Sequence, residues 1–201
     1  MATDYTKPPG ARDDGRRQPA LYRTSGLLLA SLNTRLQRVR WLLCDVDGVL
    51  TDGTVLVGEN FEAKRFDIQD GLGQALLRRA GIKVGWVSNR PSAATAARAA
   101  ELKVDFLHQD PGSKVAAIEA LLAQANATWE EVCYIGDDIV DLGALKRAGL
   151  AVTVANGVAE AKAVAHCVSV ASGGGGAVRE VAELILKAQG RWAELVAGYE
   201  A

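Results

Sequence analysis

Two aspartates stand two residues apart in Asp45-Val46-Asp47-Gly48-Val49-Leu50-Thr51, directly after the apolar run Trp41-Leu42-Leu43-Cys44. The run reads as a buried strand, so both carboxylates are carried to its end. Burying one carboxylate without a partner is costly, and a second beside it adds like-charge repulsion. A hard divalent cation between them resolves both costs. Asp and Gly also mark ordinary turns at strand ends, so the pair needs support from elsewhere in the chain. That support comes from a second acidic cluster, Gly136-Asp137-Asp138-Ile139-Val140-Asp141, which again follows a strand-like run, Val132-Cys133-Tyr134-Ile135. Two further candidates lie between the clusters. Ser88 ends the run Ile82-Lys83-Val84-Gly85-Trp86-Val87, and Lys114 opens the helix-like stretch Lys114-Val115-Ala116-Ala117-Ile118.

Together these groups suit phosphoryl transfer. A positioned carboxylate can attack phosphorus and form an acyl phosphate, which splits hydrolysis into two easier steps. Asp45 is the candidate nucleophile, and Asp47 the candidate acid/base that protonates the leaving oxygen and later takes a proton from water. The incoming phosphoryl group is itself negative, so positive charge has to meet it: a magnesium ion held by few carboxylates, plus a fixed lysine. Asp137 would complete the metal site, Lys114 would supply the cation and Ser88 a hydrogen bond. Each also has a purely structural alternative: Ser88 as a turn residue, Lys114 as a solvated helix residue, Asp138 as a helix N-cap.

Elements of matching type surround these residues. Residues 54–57 and 63–68, joined by a turn at Gly58-Glu59-Asn60, read as a β-hairpin projecting from the sheet. Helix-like 72–80, strand-like 82–87, an alanine-rich helix at 92–102, a short strand at 104–107 and a helix from Lys114 follow. The second half continues as strand 132–135, helix 142–148, strand 150–154, a short helix at 158–164, a strand at 167–170 and an amphipathic helix over 177–186. Strand and helix alternating over short connections indicate an α/β fold, a three-layer doubly wound, mostly parallel sheet. In such sheets ligands collect beyond the carboxyl ends of the strands, where the two acidic clusters can converge. Ser172-Gly173-Gly174-Gly175-Gly176, the one low-complexity segment, reads on its own as a flexible hinge.

The 201 residues suit one domain with a sizeable core, and 49% hydrophobic and 23% charged content is ordinary for a globular protein. A net charge of -1 argues against a nucleic-acid binder working through a strongly basic surface. Cys44, Cys133 and Cys167 lie in apolar runs without metal-site spacing, as buried thiols in a reducing compartment do. The run Gly26-Leu27-Leu28-Leu29-Ala30-Ser31-Leu32 is too short to span a bilayer, and no export-type cleavage pattern follows it, so a cytoplasmic location is expected. Residues 1–36 read as a tail and leading segment, mobile over 1–24; 37–190 as the catalytic domain; 191–201 as a C-terminal tail.

Asp45-Val46-Asp47-Gly48-Val49-Leu50-Thr51, Ser88, Lys114 and Gly136-Asp137-Asp138 resemble the four ordered motifs of the haloacid dehalogenase-like phosphohydrolases, over nearly everything from Trp41 to Leu186. The resemblance implies Asp45 as phosphoryl acceptor, Asp47 as acid/base, and Mg2+ held by the Asp45 side chain, the Asp47 backbone carbonyl and Asp137, with Asp138 assisting. Only the hairpin separates the first two motifs, which fits a capless branch with an open site. Phe66-Asp67-Ile68-Gln69-Asp70-Gly71-Leu72-Gly73, Ser88-Asn89-Arg90-Pro91-Ser92 and the segment from Gly173 to Val181 are similar to the 3-deoxy-D-manno-octulosonate 8-phosphate phosphatase family. That resemblance implies a homotetramer in which neighbouring subunits cover the site, and removal of phosphate from an eight-carbon sugar acid in lipopolysaccharide precursor synthesis. Arg90 is the candidate for the substrate's anionic part, since a guanidinium matches a carboxylate. Asp70, with Gly71, is the candidate for sugar hydroxyls, or else a helix cap. The relatives usually have Thr-Gly-Arg where this chain has Ser88-Asn89-Arg90; the hydroxyl is kept, and Asn tolerates positive φ better than most residues.

The nearest alternative is a phosphatase for a nine-carbon sialic-type sugar acid. A signalling receiver domain also combines acids, Mg2+, a hydroxyl and a lysine, but places the lysine last, whereas Lys114 precedes Asp137. A catalytically idle oligomerisation module would have no need of Asp45, Asp47, Lys114 and Asp137 together.

Overall fold

The computed structural model describes residues 26–200; the segment expected to be a mobile tail, 1–24, lies outside them. Six strands form one parallel sheet: β1 (Trp41–Cys44), β4 (Lys83–Val87), β5 (Phe106–His108), β6 (Val132–Ile135), β7 (Leu150–Thr153) and β8 (Cys167–Val168). Their order is β5-β4-β1-β6-β7-β8. The chain winds outward from β1 in one direction through β4 and β5, and in the other through β6, β7 and β8. The switch point lies between β1 and β6, where Leu42 pairs with Cys133 and Cys44 with Ile135. A crevice at the carboxyl ends is the geometric consequence. Both central strands are buried on both faces, which is why their sequences are continuous apolar runs rather than alternating ones.

Helices cover the two faces. On one side α1 (Gly26–Arg38), α2 (Ile68–Arg79), α3 (Ala93–Leu102) and α7 (Ala177–Ala188) enclose a cluster that includes Leu36, Leu42, Leu77, Trp86, Val181 and Ile185. On the other, α4 (Lys114–Ala125), α5 (Leu142–Leu145) and α6 (Ala159–Val164) cover Leu43, Ile118, Tyr134 and Leu145. The short α8 (Trp192–Ala197) sets Trp192 and Leu195 against the first cluster. The hairpin of β2 (Leu56–Gly58) and β3 (Phe61–Ala63) stands apart as a two-stranded antiparallel sheet.

Several boundaries differ from the sequence expectation, two of them for reasons the hydrogen bonds identify. Helix α2 starts at Ile68 rather than 72, because the Asp67 carboxylate accepts from Gln69 N and Asp70 N and so opens the helix early. Strand β8 ends at Val168 rather than 170. Beyond it, Val170 N and Ala171 N donate to the Glu180 carboxylate instead of to a neighbouring strand. Helix α5 ends at Leu145 rather than 148.

The glycine run is not a hinge. Gly174 N donates to Val49 O at 3.0 Å and Gly173 N to the Asn156 side chain at 2.8 Å. A Cβ on Gly173 would stand 1.7 Å from Gly48 O, and one on Gly174 2.4 Å from Asp52 N. Backbone therefore packs on backbone, and the segment braces the loop that follows β1. We predict that Gly173→Ala destabilises the protein by about 2 kcal/mol, a fall of roughly 4–8 °C in Tm for a chain of this size. Gly198→Ala, whose Cβ would meet nothing closer than 3.5 Å, should leave the melting curve nearly unmoved.

Candidate active site

Asp45 leaves β1 with its backbone N–H still bonded to Ile135 O of β6 at 2.9 Å, so its position is fixed by the switch point itself. The residue is 6% exposed. Oδ1 accepts from Val46 N at 2.7 Å and pairs with Lys114 Nζ at 2.9 Å. Lys114 is the first residue of α4, which Ser113 caps through Ala116 N, and this places the ammonium under the end of β1. Its second partner is Asp141 Oδ1 at 2.7 Å.

Asp141 uses both oxygens fully. Oδ1 also accepts the Tyr134 hydroxyl at 2.6 Å, and Oδ2 accepts Asp137 N at 3.0 Å and Asp138 N at 3.3 Å. A carboxylate has about four acceptor directions, and the protein occupies them all. Asp141 therefore frames the loop that carries Asp137. Asp138 caps the 3-10 turn through Ile139 N at 2.6 Å, its expected structural alternative, and contributes its N–H to the frame.

One lysine compensates three carboxylates, and that balance shows in the proton affinities of Asp45 and Asp137. Burial, then repulsion from Asp141, raises Asp45 to about 6 in spite of Lys114. Burial, then Asp45, Asp141 and Asp138, raises Asp137 to about 7. The paired Lys114 is itself pushed up, its two carboxylate partners outweighing burial. A salt bridge would ordinarily depress an acid, so here desolvation and the second and third negative charges win.

The residues fit a divalent cation. Ligand atoms of Asp45, Asp137 and Asp141 lie within 4.8 Å of one another. Asp137 Oδ1 is buried with no hydrogen-bond partner, a cost that a cation would remove. The loop makes room for that carboxylate by placing glycine beside it. Gly48 has φ +96°, and a Cβ there would stand 2.1 Å from Asp137 Oδ2. With Asp141 saturated, Asp45 and Asp137 are the side chains left to coordinate.

The remaining candidates are placed unequally. Ser88, 2% exposed at the end of β4, has its hydroxyl turned within its own loop, accepting from Arg90 N at 3.1 Å. Asp47 meets Lys64 Nζ at 2.7 Å through Oδ1 and 2.9 Å through Oδ2. Arg90 donates to Glu62 on the hairpin, while its Nη1 is buried without an acceptor. Asp70 does not cap its own helix, a task taken by Asp67, and its Oδ2 is buried without a hydrogen-bond partner. It is 1% exposed and accepts from Arg179 N of α7 at 2.7 Å. Burial raises it to about 6, with the α7 backbone donors opposing. At Gly71 a Cβ would come within 2.8 Å of Arg98 and 3.2 Å of Leu102. Sequence reasoning passed over Tyr134, Lys64, Glu62 and Thr95; only Tyr134, a lone hydroxyl in an apolar strand beside the acidic cluster, carried a signal.

These shifts set a pH signature. A buried acid whose folded pKa is raised binds protons better folded than unfolded, so its contribution to stability is present at low pH and lost as pH rises from about 4 to about 7. A cation competes with those protons. We predict that millimolar Mg2+ raises Tm more at pH 8 than at pH 5 in thermal scans; an equal rise at both would contradict the site.

Comparison with known proteins identifies the family. Residues 88–180 match the haloacid dehalogenase-like hydrolase model. The 3-deoxy-D-manno-octulosonate 8-phosphate phosphatase of Yersinia pestis is 39% identical over 156 residues, 77% of this chain and 83% of that protein. The phosphatase of the same name from Moraxella catarrhalis, solved with magnesium ion, phosphate ion and KDO, superposes with a TM-score of 0.83 at 35% identity, covering 85% of this chain and 99% of that one. The cobalt-bound Haemophilus influenzae enzyme gives a TM-score of 0.75 at 39% identity, with 78% and 92% covered. Fold and sequence converge, and the chain belongs to the 3-deoxy-D-manno-octulosonate 8-phosphate phosphatase family of haloacid dehalogenase-like hydrolases.

Proposed function

We propose that this chain is a Mg2+-dependent phosphatase that removes phosphate from 3-deoxy-D-manno-octulosonate 8-phosphate through a phosphorylated Asp45, a step serving lipopolysaccharide precursor synthesis. The observation that carries the mechanism is the Lys114 ammonium fixed at 2.9 Å from Asp45 and 2.7 Å from Asp141, beside an Asp137 oxygen without a partner. Asp45, Asp137 and the Asp47 carbonyl would hold magnesium, which would supply charge that neutralises the phosphoryl oxygens.

The rest falls to side chains. Asp45 attacks phosphorus, its O–P bond forming as the bond from phosphorus to the sugar oxygen breaks. Asp47 gives that oxygen its proton. Water then attacks the same phosphorus, gives a proton back to Asp47, and the Asp45 O–P bond breaks to release inorganic phosphate. Lys114 holds Asp45 and meets the negative charge of the phosphoryl group, while Ser88 donates to one of its oxygens. Arg90, with its unsatisfied Nη1, takes the sugar acid's carboxylate.

The assembly we propose is a cytoplasmic homotetramer, with residues 37–190 as the catalytic domain. The support is the hairpin, whose Leu56, Val57 and Phe61 are 62%, 74% and 64% exposed on two strands of three residues each. Such a ribbon is marginal alone and gains most by packing on copies of itself. The three cysteines are free thiols, as suits a reducing compartment.

Asp45→Asn keeps the shape and removes the nucleophile, so phosphate release should fall by about 10⁴-fold or more. A phosphate-release panel with Mg2+ decides the substrate: the eight-carbon compound should be turned over fastest, and faster release from a nine-carbon sialic-type phosphate would reverse the assignment. Light scattering on Phe61→Asp should give a species smaller than the wild-type tetramer; an unchanged mass would remove the hairpin from the interface.

A further inference from the structure

Glu62 lies on β3 and Lys64 just beyond it, two residues apart in extended chain and so on one face of the strand. That face meets two different loops of the site. Glu62 Oε2 accepts from Arg90 Nη2 and Oε1 from the Ser92 hydroxyl, which is also the N-cap of α3. Lys64 contacts both oxygens of Asp47, at 2.7 and 2.9 Å, and donates to Thr95 Oγ1 at 3.0 Å. The Lys64 side chain is 0% exposed and Thr95 is wholly buried in α3, so the ammonium has a fixed seat rather than a solvated surface position. Arg90 and Ser92 hold the Glu62 carboxyl below the usual range for its type, in keeping with an ionised partner for the guanidinium.

A guanidinium offers its donors in a rigid fork. Glu62 occupies one arm, and that leaves Nη1, buried and without an acceptor, aimed by the same contact. An unsatisfied buried donor is a cost that an incoming carboxylate would repay. On the other side, a carboxylate that exchanges protons with a leaving oxygen and then with water has to stay in one orientation through both steps. Asp47 sits on a loop, and Lys64 is the charged group that anchors it.

We propose that Glu62 and Lys64 are positioning residues of the phosphatase reaction: Glu62 aims the free arm of Arg90 at the substrate's carboxylate, and Lys64 holds Asp47 oriented for hydrolysis of the phosphorylated Asp45. This rests on the roles given above to Asp45, Asp47 and Arg90. The hairpin then belongs to the machinery, beyond any part it plays in assembly.

Steady-state and rapid-quench kinetics on the full chain with Mg2+ separate this from a bracing role, using 3-deoxy-D-manno-octulosonate 8-phosphate and p-nitrophenyl phosphate. Lys64→Met should slow the step common to both substrates. Its kcat values should therefore fall at least about tenfold and converge on one number, while the phosphorylated enzyme accumulates; Lys64→Arg should restore part of the loss. Glu62→Gln should raise KM for the sugar acid phosphate about tenfold more than for the aryl phosphate, with kcat little changed. Parallel losses in both constants on both substrates, or wild-type behaviour, would overturn the proposal. Should Lys64→Met not fold, Thr95→Val, which removes only the neutral partner of the ammonium, carries the same expectation at smaller size. If the wild type ignores the sugar acid phosphate, the substrate assignment fails while the Lys64 arm is still decided on the aryl phosphate.

Discussion

A single ammonium group, Lys114 Nζ, lies between Asp45 and Asp141 at the point where the sheet reverses its winding. It is the buried cation against three clustered carboxylates, Asp45, Asp137 and Asp141, and that deficit governs the site. Replacing it would leave buried charge unpaired, a larger cost than any one contact is worth. The deficit also explains why Asp45 and Asp137 hold protons more tightly than ordinary aspartates, and why a divalent cation is the natural complement. Placement follows from backbone alone: β1 and β6 pair in parallel, so the residues after them emerge side by side.

The loop after β1 is held from two directions. Beneath it, Gly173 and Gly174 approach so closely that no side chain fits between, and Val49 O accepts from Gly174 N. Across from them, Lys64 reaches Asp47 from the hairpin. A reacting carboxylate gains from such bracing, since a displacement of an ångström can cost a hundredfold in rate. The brace is tied to the rest of the molecule through α7, whose first turn is capped by Asp70 from α2 and whose Glu180 takes over the donors that β8 gives up. Helix α7 is thus a structural keel for the active-site loop.

Much of this was legible in the chain because parallel strands carry a strong apolar signature and deliver their next residues to a known edge. Asp45, Ser88 and Asp137 each follow such a run, and Lys114 follows the Ser113 cap of its helix. Asp141 showed in the sequence only as a member of the acidic cluster; its pairing with Lys114 and the saturation of its oxygens did not. What the chain concealed were contacts that exist only once distant segments dock. Asp70 finds its partner 109 residues away. Lys64 and Glu62 look like solvated charges of a hairpin until α3 is set beneath them. The glycine run was misleading for a related reason. Small residues signal freedom when nothing is near and close approach when a backbone is, and sequence alone does not say which.

The central claim is that a covalent phosphoryl group passes through Asp45 under the charge control of Lys114. Acid quench of the enzyme in mid-turnover with Mg2+, followed by peptide mass spectrometry, reads that claim most directly. The account predicts an acid-stable, base-labile phosphoryl label on the peptide containing Asp45. A label on another residue, or sustained turnover with no covalent label in rapid-quench samples, would contradict it.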